Sequence, residues 1–122
     1  MGDKILRQGR GWRLGWDPLA PYPFLIGGED WGVELTQAEF DDFRRLTQEL
    51  RQTVLAIAPE LMAEERIGCE LDSQTLWLEI EGYPQAYELR FILHQGRRAE
   101  GQWPASVLPE FFVALDQIHI GT

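Results

Sequence analysis

Apolar positions along the 122-residue chain run twice through one order, first with the period of two that marks a half-buried strand, then with the spacing of three and four that marks a helix. The clearest helix starts at Thr36, from which Phe40, Phe43, Leu46, Leu50, Val54, Ile57 and Leu61 fall on one stripe. Thr36 can cap the first turn while Glu39 reaches back to it, the pattern of a capping box. Pro59 disfavours helical geometry at Ala58, so the helix should end or kink there. Asp41, Asp42, Arg44, Arg45, Glu49 and Arg51 lie mostly on the opposite, solvated side, with Asp41 and Arg45 spaced for a pair of about 0.3–0.5 kcal/mol.

After this helix, Ile67, Cys69 and Leu71 alternate inward, as do Leu76, Leu78 and Ile80, and the two runs predict a hairpin turning at Asp72-Ser73-Gln74. Gly82-Tyr83-Pro84 breaks the pattern. Tyr87, Leu89, Phe91 and Leu93 then give a third strand, and Gln95-Gly96 supplies the tight turn into a fourth ending at Trp103. A closing helix over about 106–118 carries Leu108, Phe111, Phe112, Leu115 and Ile118 on one face, with Pro109 tolerated in its first turn. The first half, read with this template, has strands near 4–8, 11–16, 23–26 and 30–35. Pro18, Pro21 and Pro23 would demote the third of these to an edge.

Trp31-Gly-Val-Glu-Leu-Thr36 leads into a helix with Glu39-Phe40, and Trp103-Pro-Ala-Ser106 into one with Glu110-Phe111. Each half is too small to bury a stable core, so the two must pack together. The expectation is an α+β fold, two antiparallel four-stranded meanders each followed by a helix (β4α-β4α), in one domain of two pseudo-repeats, about 1–62 and 63–122.

Apolar residues at 44% and charged residues at 25% suit a folded domain. Cys69 is the sole cysteine, which rules out an intrachain disulfide and makes a reducing cytoplasm the default location. No run of residues reads as a signal peptide or a membrane span, and Leu6 stands where a myristoylation signal wants Ser or Thr, so no membrane partner is expected. Twenty acidic against eleven basic residues give a net charge of −9, which repels polyphosphates at long range and favours basic partners. Two basic islands interrupt this charge: Lys4, Arg7, Arg10 and Arg13, and Arg90, His94, Arg97 and Arg98. With fields decaying over about 8 Å at physiological salt, their placement in space matters more than the total.

Catalytic chemistry has little to stand on. His94, His119 and Cys69 lack metal-ligand spacing, and Cys69 falls on the apolar face of its strand. The Walker, nucleophile-elbow and dinucleotide glycine patterns are absent, and the neighbouring pairs Glu29-Asp30, Asp41-Asp42 and Glu64-Glu65 do not converge on one bond. The expectation is therefore no enzymatic activity, no cofactor and no metal. In Arg10-Gly-Trp12-Arg13-Leu-Gly-Trp16 cations interleave with aromatics, the ingredients that hold single-stranded nucleic acid by stacking and phosphate contact. Trp12 and Trp16 share a face with Leu14, which favours their being core residues with Arg13 pointing to water. Trp77 points away from Leu76 and Leu78 toward Glu70, Glu79, Glu88 and Arg90, and is either covered or a contact.

Gly11-Trp12-Arg13-Leu14-Gly15-Trp16-Asp17, Gly27-Gly28-Glu29-Asp30-Trp31 and the run Glu34-Leu35-Thr36 to Glu39, Phe43 and Leu46 resemble a small uncharacterised cyanobacterial family with a Whirly-like fold. That fold is related to the single-stranded-DNA-binding transcriptional regulators of plants and to the positive-cofactor coactivator domain. The resemblance implies a nucleic-acid-binding ancestry, while the lysine-rich, strongly basic surface of those regulators is missing here. Two functions follow as expectations. The first is single-stranded nucleic-acid binding or a transcription-associated role through Arg10, Arg13, Arg90, Arg97 and Arg98, with Trp12 or Trp77 stacking. The second is an acidic protein-protein interaction module that docks a protein or itself. The arrangement of the arginines discriminates them: one continuous groove favours the first, scatter or pairing with carboxylates the second.

Overall fold

The computed structural model describes residues 4–94 and 96–118. Strands β1 (Ile5–Gly9), β2 (Trp12–Trp16), β3 (Phe24–Gly27) and β4 (Gly32–Leu35) form one antiparallel sheet in chain order, followed by helix α1 (Gln37–Ile57) and a single 3-10 turn, Ala58–Glu60. Strands β5 (Ile67–Asp72), β6 (Leu76–Tyr83), β7 (Ala86–Leu93) and β8 (Glu100–Trp103) form the second meander, followed by α2 (Leu108–Gln117). The architecture is the expected α+β fold of two four-stranded antiparallel sheets, each with a helix behind it.

Local chemistry sets the element ends. Thr36 Oγ1 accepts from the Glu39 amide at 3.1 Å and Glu39 Oε1 accepts from the Thr36 amide at 2.8 Å, which closes the capping box of α1. Pro59 stops the α-helix at Ile57 and leaves the tighter turn beyond it. The β1–β2 turn needs Gly11 twice over, because its φ of +82° is left-handed and an added Cβ would sit 2.6 Å from Val107 Cγ2.

Several details differ from the pattern. The prolines lie in the 17–23 loop, so β3 is flanked on both sides, by β2 and β4, rather than at an edge. Strand β6 continues through Gly82 to Tyr83, whose ladder to Ala86 closes the hairpin. Arg45 pairs with Asp42 and Glu49, not Asp41, which takes the Gln37 amide instead. Helix α2 begins at Leu108, two residues later than expected, after turns onto the Pro104 and Ala105 carbonyls.

Each helix lies against the other half's sheet. Helix α1 packs on β5 and β6 as well as β4, and α2 on β1 and β2. The inner faces of both sheets and both helix stripes therefore share one buried cluster. The two tryptophans that open the recurring segments meet there: Trp31 and Trp103 stand 5.1 Å apart between ring centroids. Trp103 is fully buried, stacks on Phe111 at 4.7 Å and donates Nε1–H to the Gly27 carbonyl of the other half at 2.8 Å. Phe40, the counterpart of Phe111, stacks on Phe24 at 4.0 Å.

Candidate interaction surface

The fold sends the arginines of the two basic islands to separate places. Arg13 projects from the outer face of the first sheet, where Nη2 donates to the Trp31 carbonyl at 2.6 Å and Nε is buried without a partner, so its guanidinium is committed to the protein. Arg10 is exposed on the β1–β2 turn. Arg90 lies mid-sheet on the other half and pairs with Glu79 at 3.0 Å. Arg97 folds from the β7–β8 turn onto the Glu34 carbonyl at 2.8 Å and the Glu39 carboxylate at 2.6 Å, with its guanidinium 4.3 Å from the Tyr22 ring centroid. Burial works against the Arg97 charge, but the Glu39 and Tyr22 hydrogen bonds outweigh it and hold the group above its ordinary range. Arg98 is exposed in the same turn with a left-handed φ of 52°.

Of the candidate residues, Trp77 and Arg90 are the pair brought into contact, with the guanidinium 5.1 Å from the indole centroid. Trp12 belongs to the core at 5% exposure, packs 6.0 Å from Phe111 and donates to Glu110 Oε1 at 2.8 Å. Trp16 and Cys69 are half-buried against the same core. His94 bonds Asp72 across the end of the second sheet, and His119 lies outside the described residues. Among the described residues no three His, Cys, Asp or Glu side chains converge to hold a metal, and no helix is long and apolar enough to cross a membrane.

The outer face of the second sheet has a sharper character. Alternation along the strands places Glu70 and Asp72 of β5, Trp77, Glu79 and Glu81 of β6, Glu88, Arg90 and Ile92 of β7, and Glu100 and Gln102 of β8 on this side, away from the core. Neither helix covers it; Trp77, Glu79 and Ile92 are half-buried by their neighbours and the rest are exposed. Two carboxylate pairs face each other directly across the ladder, Glu70 opposite Glu79 and Glu81 opposite Glu88. Directly opposed like charges destabilise a sheet. Arg90 on Glu79 and Arg66 on Glu81, the latter at 3.6 Å, offset this in part and leave the face acidic.

Gln102 joins this face to a cleft of about 820 Å³ at the seam between the halves. The β1–β2 turn brings Arg10 and Gly11, the β3–β4 turn Glu29, Asp30 and Trp31, the approach to α2 Pro104, Ser106 and Val107, and the first turn of α2 Glu110. Trp31 is wedged against Phe91 and Trp103, and Gly101 gives it room: an added Cβ there would meet Phe91 Cε1 at 2.7 Å and the indole edge at 2.6 Å. Sequence reasoning flagged Trp31, Glu110 and the Glu29-Asp30 pair, the first two through the recurrence and the third as adjacent carboxylates. It did not bring them together, because their convergence depends on how the two halves pack.

No curated protein matches the chain. A crystal structure of a protein of unknown function from the DUF155 family of Prochlorococcus sp. NATL2A is similar to it, with 30% identity, 92% of this chain and 96% of that chain covered, and a TM-score of 0.87. The domain of unknown function DUF1818 matches residues 7–118, and the chain belongs to that family.

Proposed function

We propose that the protein is a non-enzymatic interaction module that docks a basic segment of a partner protein on the outer face of its second sheet. The observation that carries this reading is an uncovered ladder on which carboxylates stand opposite carboxylates, Glu70 with Glu79 and Glu81 with Glu88, beside the half-buried Trp77 and Ile92. The sheet carries this repulsion at a cost in stability, and a cationic partner relieves it. Trp77 and Ile92, neighbours on the two central strands, supply apolar contact within a charged surface, a composition suited to a recognition patch.

Single-stranded nucleic acid, the partner implied by the Whirly-like resemblance, fits less well. A phosphate chain needs cations along one track, whereas Arg13 and Arg97 are occupied by carbonyl and carboxylate oxygens and Arg90 sits among glutamates.

Titration with a fluorescent octa-arginine peptide and with a labelled single-stranded oligothymidine, each at low and moderate salt, tests the reading. The peptide should bind with a salt-dependent affinity, and Glu70→Gln with Glu88→Gln should weaken it while leaving the fold at least as stable, because repulsion has been removed. Salt-dependent binding of the oligothymidine with none of the peptide would replace this reading with the nucleic-acid one.

A further inference from the structure

Resting on that reading, we propose that the cleft at the seam is the specificity pocket of the docking surface and takes one arginine side chain of the basic segment. Gln102 lines both the cleft and the acidic hollow around Glu79, Glu81 and Glu88, so a chain lying on the sheet reaches the cleft without leaving the surface. The cleft has the parts that a guanidinium on a long apolar stem requires. Trp31, Pro104 and Val107 form an apolar wall for the methylenes, and the indole offers its ring to the cation.

Glu29, Asp30 and Glu110 set three carboxylates against the single guanidinium of Arg10, so the cleft favours a cation even with that arginine in place. Glu110 is held by the Trp12 indole N–H on Oε1, which fixes the carboxylate and leaves its second oxygen to accept. Trp31 is likewise held by Phe91 and Trp103. With Trp31 and Glu110 already held, that part of the pocket loses little freedom on binding. Such a pocket distinguishes arginine from lysine, because the planar guanidinium stacks on an indole and makes paired bonds to a carboxylate while an ammonium is a point charge.

The test compares octa-arginine with octa-lysine by calorimetry on the whole protein. The unchanged protein should bind octa-arginine about threefold more tightly or better, the scale of an exposed cation–π contact. Glu29→Gln with Asp30→Asn, both exposed and on a turn, should weaken octa-arginine about tenfold and erase the preference. Glu70→Gln with Glu88→Gln on the sheet should weaken both peptides alike and keep the preference. An arginine preference that survives the turn substitutions overturns the pocket while leaving the sheet reading intact. Failure of both peptides to bind overturns the sheet reading, and the pocket with it.

Discussion

Replacing Gly101 by alanine probes the joint between the two halves. A Cβ built there meets the edge of the Trp31 ring and Phe91 Cε1 at 2.6–2.7 Å, closer than carbon atoms approach without displacement. Trp31 has little room to yield, with Phe91 at 5.8 Å and Trp103 at 5.1 Å between centroids. Overpacking of this kind costs about 1–3 kcal/mol, or roughly 4–12 °C in melting temperature for a domain of this size. Trp31→Ala, which empties a half-buried site, should cost about 2 kcal/mol by itself. The decisive measurement is the double substitution. Once the indole is gone, much of the clash disappears, so urea unfolding should show the pair falling short of the sum of the single effects by about 1 kcal/mol or more. Gly101→Ala at wild-type stability, or costs that simply add, would refute the placement of Trp31 in the Gly101 notch and with it the shape of the cleft.

Three further outcomes follow from particular contacts. Asp42 accepts from Thr75 Oγ1 at 2.6 Å and Ser73 Oγ at 2.9 Å, tying α1 to the β5–β6 turn, and these bonds hold its carboxyl below the ordinary value of 3.8 despite partial burial. A depressed folded-state value gives stability that is complete above the unfolded value and is lost as pH falls through the folded one. Asp42→Asn should therefore cost about 1 kcal/mol at pH 7 by urea unfolding, with the two stability curves converging in acid below about pH 4. Arg97→Met should loosen the β7–β8 turn from Glu34 and Glu39 and lower stability by about 1–2 kcal/mol, and amide exchange should rise at the start of α1 if the latch is real. Trp12→Phe removes the donor to Glu110 and some core volume, so it should cost about 1–3 kcal/mol in thermal unfolding.

Most of the fold is legible because its determinants are local. The capping box at Thr36 and Glu39, the helix stop before Pro59 and the alternation from Ile67 to Leu93 each involve residues close in the chain. The errors arise where a local signal was given a long-range meaning. Prolines at 18, 21 and 23 speak only about their own backbone, and they sit in the loop before β3 rather than setting its place in the sheet. The apolar stripe places the start of the closing helix at about 106, but the chain makes two turns through Val107 before the helix begins at Leu108. Trp12 carries the same difficulty in a functional form, since a tryptophan between arginines is compatible with base stacking until Glu110, 98 residues further on, and its neighbour Phe111 are known to enclose it.

The exchange of helices between halves explains why chemistry at the seam was the hardest part to see. If each helix covered its own sheet, the two recurring segments would be self-contained and their polar residues could be assigned within one unit. Instead the equivalent positions play complementary parts across the joint. Glu39 caps its own helix and holds Arg97 from the second half, whereas Glu110 accepts from Trp12 in the first. Trp103 is driven to full burial under α2, while Trp31, on the turn side of the same contact, stays half-buried and lines the cleft. The chain carries one local pattern twice; packing made one copy structural and left the other at a surface. The charges follow the same division. Arg13 of the first sheet is drawn onto the Trp31 carbonyl, and the second sheet keeps most of its outer carboxylates exposed, so any partner recognised there must bring the positive charge itself.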